Sequence, residues 1–128
     1  MKIIDKSLLR QLHFEALAIE RRRVAYDLRT TPDDDSQRML NVLEPGTLVP
    51  IHQHKDTDET TFCIEGCLDV VFFREVEDGE FVEESRVTLS PKEGNYGVQI
   101  PRGTWHTVEI YAPCTIFEAK DGKYVPQK

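Results

Sequence analysis

A chain of 128 residues is enough for one domain, and at that size folding buries roughly two-thirds of the surface exposed by the unfolded form, so a core needs no staples. Sixteen Lys and Arg against 23 Asp and Glu give a net charge of -7 and a pI near 5.1, which argues against a basic face for nucleic acid or an anionic membrane. The N-terminal MKIIDKSLL is broken by Asp5 and Lys6, too polar for a signal peptide, and no window reaches the length of a membrane span; a cytoplasmic location is expected.

Apolar residues Leu8, Leu9, Leu12, Ala16, Leu17 and Ile19 recur at spacings of three and four, which predicts one helix from about Ser7 to Arg21, with Asp5 or Ser7 as N-cap. His13 lies beside that stripe and reads as structural or solvated. The run Arg21-Arg22-Arg23 has two readings, favourable charge at a helix C-terminus or an anion clamp at a pocket mouth. Thr30 to Gln37, TTPDDDSQ, is a polar loop; its three aspartates lack the glycine and terminal glutamate of a calcium loop.

From Arg38 the period becomes extended. Strands are predicted over 38–44, 48–54, 59–65, 67–76, 80–89, 95–100, 105–111 and 114–119, separated by Pro45-Gly46, Gly66, Asp78-Gly79, Ser90-Pro91, Pro101-Arg102-Gly103 and Ala112-Pro113. Asp78-Gly79 predicts a type I′ hairpin. Short, evenly spaced strands indicate an all-β antiparallel sandwich or barrel. The expected organisation is a single domain over 1–128, with an N-terminal helical segment over 1–30 and a β-barrel over 38–120. Cys63, Cys67 and Cys114 are an odd set in an apparently intracellular chain, which reads as small buried hydrophobes; C-x3-C is a weak zinc signal. Phe62, Ile64 and Val70 to Phe73 are expected to pack the sheets, and Trp105 to line the core or pocket. The aromatic run Val71-Phe72-Phe73 suggests a homodimer formed through a sheet.

Between Gly46 and Gly66, His52, His54 and Glu59 fall within eight positions. A strand places residues i and i+2 on one face, so His52 and His54 aim their imidazoles together, and Glu59 returns beside them after the turn Lys55 to Asp58. A fourth donor, His106, follows the tight turn Pro101 to Thr104 and alternates with Val108 and Ile110 on one face of its strand. One inward barrel face could hold all four as a metal site.

These residues resemble the cupins. The first cupin motif, G-x5-H-x-H-x(3,4)-E-x6-G, is matched by Gly46, His52, His54, Glu59 and Gly66, and the second by Pro101, Gly103 and His106, with Asn95 and Ile110 standing where its flanking Gly and Asn would be. RMLNVLEPGTLVPIHQH, IPRGTWHTV and FEAKDGKY are similar to the WbuC-type cupin-fold metalloproteins of bacteria, some encoded with polysaccharide genes. The resemblance implies a double-stranded β-helix, or jelly-roll barrel, with one metal in its mouth held by three His and one Glu. It also points to a ligand pocket near Arg21, Arg23, Tyr26 and Arg29, although Ala25, Asp27 and Arg29 depart from the Asn, Asn and His expected there. Such a donor set accepts Zn, Fe, Mn, Ni or Cu and leaves positions open for water or a small molecule. Two functions stay open: a small metalloenzyme such as an oxygenase, isomerase or lyase, or a non-catalytic module that binds a carbohydrate-like or carboxylate ligand. No catalytic residue beyond the metal ligands can be named from the sequence.

Overall fold

The computed structural model describes residues 1–126. Helix α1, Lys6–Leu17, precedes strands β1 Arg23–Asp27, β2 Ser36–Leu43, β3 Glu59–Glu65, β4 Leu68–Glu77, β5 Glu80–Leu89, β6 Gly97–Ile100, β7 Trp105–Ile110 and β8 Cys114–Asp121. They form two antiparallel sheets, β1-β2-β8-β3-β6 and β5-β4-β7, and this mainly β architecture is the jelly-roll expected.

The Asp5 side chain caps α1 by accepting the Leu8 N–H at 3.0 Å. Leu9 and Leu12 pack on Val42 of β2, flanked by Val24 and Tyr26 of β1, so the helix covers the outer face of the β1–β2 edge. His13 fastens it further: Nδ1 lies 3.1 Å from Glu44 Oε1 and Nε2 lies 3.2 Å from Thr115 Oγ1. The helix ends four residues earlier than predicted. Ala18 caps it, and Arg22, at a positive φ of 57°, reverses the chain. The three arginines therefore lie outside the last helical turn, which removes the helix-terminus reading of their charge. Arg23 instead opens β1, a strand the helical reading of 1–30 did not contain, and the barrel takes in residues from 23 onward.

The core between the sheets comprises Leu43, Cys63, Leu68, Val70, Leu89, Ile100, Cys114 and Ile116, each large aliphatic contributing about 1.5–3 kcal/mol. Cys63 and Cys114 are thus buried apolar residues, and all three cysteines are free. Several packing expectations need correction. Phe62 and Ile64 are 49% and 44% exposed, because alternation along β3 turns Glu59, Thr61 and Cys63 inward and these two outward. Val70 and Val71 are buried, Phe72 packs on the core and Phe73 stacks on Phe81, as expected of residues that pack the sheets. Trp105 stacks on Phe81 at 4.9 Å, on the side of β7 opposite His106.

Two local geometries also differ. Of Asp78 and Gly79 only the glycine has positive φ, so the β4–β5 turn is not type I′; a register irregularity between Glu75 and Glu77 accommodates it. Residues 48–54 form no ladder. Their one strand-like link is a bridge in which the His52 N–H donates to the His106 carbonyl at 3.0 Å and the His106 N–H donates back at 2.8 Å. No helix among the described residues is long and apolar enough to cross a membrane.

Candidate metal centre

The bridge decides the site. It holds the 52–54 segment along β7, and the Gly103 N–H donating to the His54 carbonyl at 2.8 Å ties the same segment to the turn before β7. The imidazoles of His52, His54 and His106 consequently meet, with ring centroids 4.3 to 5.7 Å apart and one ligand nitrogen from each all within 4.8 Å of one another. Glu59, the first residue of β3, adds a buried carboxylate whose Oε1 lies 3.1 Å from His54 Nε2 and whose Oε2 lies 3.9 Å from His106 Nε2. Donors about 2.1 Å from a common ion lie about 3.0 Å apart when adjacent; the 3.1 Å between Glu59 Oε1 and His54 Nε2 has that spacing, and the three imidazole nitrogens lie close enough together to converge on one small cation.

Hydrogen bonding fixes which nitrogens face the centre. A carbonyl only accepts, so His52 Nδ1, 2.9 Å from the Pro50 oxygen, and His106 Nδ1, 2.8 Å from the Thr104 oxygen, must carry the ring protons. Each Nε2 then keeps its lone pair. His106 Nε2 is buried, with no hydrogen-bond partner among the described residues, an arrangement that costs free energy unless something binds there.

The electrostatics agree. Burial, then the neighbouring His106 charge, pulls His52 down to about 4, and burial lowers His106 too, so both stand neutral and ready to ligate at physiological pH. Burial pushes the Glu59 carboxyl upward, but the His54 contact and the charges of Lys120 and His106 outweigh it and hold the group ionised well below the usual carboxylate range. Thr61 Oγ1 donates to Oε2 at 2.9 Å and Lys120 Nζ donates to Oε1 at 3.3 Å.

A cavity of about 130 Å³ opens beside His52, Glu59 and His106, walled by Val49, Val70, Ile100 and Ile116 and carrying Arg23, Asn41 and Glu118 as further polar groups. Of the four pocket residues suggested by sequence, only Arg23 is among those lining it. Its Nη1 donates to Thr47 Oγ1 at 3.3 Å and to the Leu48 carbonyl at 2.9 Å, and no carboxylate pairs with it among the described residues. Arg21 donates to the Arg23 carbonyl from an exposed position, Tyr26 packs under α1 with the Lys2 ammonium over its ring, and Arg29 pairs with Asp27 at 2.8 Å.

Sequence reasoning missed Glu118. Its carboxyl accepts from Asn41 Nδ2 at 2.9 Å, and burial together with the Glu59 charge raises it to about 7. The available signal was alternation in CTIFEAKD, which puts Ile116, Glu118 and Lys120 on one face of β8. A wider depression of about 440 Å³ lies outside the barrel, along α1, where His13 pairs with Glu65 at 3.3 Å and with Glu44 at 3.1 Å; among the described residues only His52, His54 and His106 bring three ligand atoms together.

Comparison with known proteins places these features. The family described as "Domain of unknown function (DUF6016)" matches residues 4–87. No curated protein matches the chain. Among solved structures, a cupin-2 domain protein from Shewanella frigidimarina is 23% identical, with 77% of this chain and 79% of that one covered and a TM-score of 0.57. The protein TT1209 from Thermus thermophilus is 18% identical over 97% of this chain and 100% of its own, with a TM-score of 0.66. The capsular polysaccharide assembling protein CapF from Staphylococcus aureus is 23% identical over 84% of this chain and 30% of its own, with a TM-score of 0.62. These likenesses are of fold.

Proposed function

The chain belongs to the DUF6016 family, and from that premise we propose that it is a mononuclear metal protein of cupin fold, resembling the WbuC type in sequence, whose cavity takes a small carboxylate or carbohydrate-like ligand. The observation that carries this reading is the convergence of three imidazoles on one point, with the buried His106 Nε2 otherwise unsatisfied. His52, His54, Glu59 and His106 would hold the ion, one of Zn, Fe, Mn, Ni or Cu. When bound, such an ion supplies a Lewis-acidic centre for an oxygen of the ligand.

The chain's own residues define the rest. Arg23, which lines the cavity and pairs with no carboxylate among the described residues, suits an anionic oxygen, since a guanidinium offers several N–H donors and only Nη1 is engaged by Thr47 and Leu48. The apolar walls exclude water and strengthen that attraction. Glu118 adds a second carboxyl to the cavity wall, held in place by Asn41. The name of CapF, a capsular polysaccharide assembling protein, supports the carbohydrate-like class.

The test is incubation of zinc-loaded protein with sugar phosphates, nucleotide sugars and small dicarboxylates, followed by product analysis. Conversion that is lost in His52→Ala supports an enzyme. Saturable binding with every compound recovered unchanged supports a non-catalytic module, and neither binding nor conversion contradicts the ligand class.

A further inference from the structure

Lys120 presents a difficulty for any ion at this centre. The antiparallel register sets it directly opposite Glu59, and its ammonium lies 3.3 Å from Glu59 Oε1, the same oxygen that faces His54 Nε2 at 3.1 Å. A cation of the protein therefore already stands on the carboxylate that the metal needs. The Lys120 side chain is only 15% exposed, so solvent screens little of the repulsion that a second cation would meet.

Two residues back on the same face of β8, Glu118 offers an alternative partner. Its Oε2 lies 3.6 Å from the Lys120 ammonium while Asn41 steadies its Oε1. An ammonium required only to join two strands would need one carboxylate. Here it lies between two, one belonging to the proposed ligand set and one outside it.

We infer that Lys120 is the built-in counter-cation of Glu59 in the metal-free site and transfers to Glu118 when a divalent ion takes Glu59, so that the Lys120–Glu118 pair sets how tightly the centre holds its metal. The inference rests on the metal-site reading above and adds its regulation. Metal and ammonium compete for one carboxylate, which weakens affinity below what four donors alone would give and keeps the ion exchangeable. Glu118 offsets part of that weakening by receiving the displaced charge.

The experiment measures zinc affinity by competition with a chromophoric chelator, on full-length protein stripped of metal, for wild type, Lys120→Met, Lys120→Arg, Glu118→Gln and the double variant Glu118→Gln/Lys120→Met. Lys120→Met should bind zinc at least roughly fivefold more tightly, the lower end of ordinary coupling between two sites. Lys120→Arg, which keeps the charge, should return affinity towards wild type. Glu118→Gln should weaken binding by a similar factor, and that weakening should vanish in the Lys120→Met background, the non-additivity that marks a shared interaction. Thermal melts without metal should show Lys120→Met to be less stable than wild type, since Glu59 then stays buried and loses its ammonium partner. If Lys120→Met does not accumulate as folded protein, Glu118→Gln and Lys120→Arg decide the matter by themselves. A wild type that takes up no zinc overturns the metal-site reading and this exchange with it. A wild type that binds zinc, with affinity unchanged by Lys120→Met or by Glu118→Gln, overturns the exchange alone.

Discussion

Gly66→Ala should cost the protein about 3 kcal/mol of its stability, although Gly66 touches neither the metal donors nor the cavity. Gly66 joins β3 to β4 at a φ of +97°, where an L side chain is strained, at about 1–2 kcal/mol. A Cβ there would also collide with the Pro113 carbonyl oxygen and come within 2.8 Å of Cys114 Cα and Sγ. Backbone and a fully buried cysteine cannot yield as a flexible side chain would, and overpacking of this kind adds roughly 1–3 kcal/mol. The sum is near 3 kcal/mol, against a total of about 5–15 kcal/mol for an ordinary domain. With a urea slope of roughly 1.5 kcal/mol per M, the unfolding midpoint should fall by about 2 M. Gly79→Ala is the control, because it has a similar positive φ of 78° but nothing within 4 Å of its added Cβ. Its midpoint should fall by about 1 M, roughly half as much. Equal shifts for the two variants would refute the claim that close backbone approach, rather than φ alone, demands glycine at position 66.

Two further outcomes follow from the site. His52 sits near 4 in the fold against an ordinary 6.5, so the unfolded chain binds the extra proton between those values, and the His52 contribution to stability is present above about 6.5 and lost as pH falls through 4. The stability of metal-free wild type relative to His52→Gln should therefore drop by about 3 kcal/mol at most between pH 7 and pH 4, measured by urea unfolding; a gap independent of pH would contradict the burial argument. Arg23→Gln should weaken oxalate binding to the zinc-loaded protein by roughly tenfold or more, the worth of a charged hydrogen bond, with zinc affinity unchanged. Calorimetry that finds oxalate binding unaltered would remove Arg23 from the pocket's function.

Much of the fold was legible because period-2 alternation and turn residues mark most strands, and seven of the eight fall close to their predicted spans. The missed strand, β1, had no punctuation: Arg22 takes the left-handed conformation that a glycine would have announced, so RVAYD fell within the N-terminal helical segment of 1–30. The 48–54 segment, expected as a strand, forms no ladder, and the single bridge of His52 to His106 is what aligns the imidazoles. Spacing brought His52, His54 and Glu59 into view because they are near neighbours in sequence. Glu118 and Lys120 remained hidden, because only the pairing of β8 with β3, residues far apart in the chain, sets Lys120 against Glu59. The exposed Phe62 and Ile64 could have been deduced: once Glu59 is assigned inward, the even positions of β3 must face out.

The central claim is that His52, His54, Glu59 and His106 bind one metal ion, and the most direct measurement is zinc stoichiometry by elemental analysis after stripping, reconstitution and desalting, on wild type and His106→Ala. Wild type should retain close to one zinc per chain and His106→Ala essentially none, with both folded by circular dichroism. Wild type that retains no zinc, or a His106→Ala variant that retains as much as wild type, would contradict it.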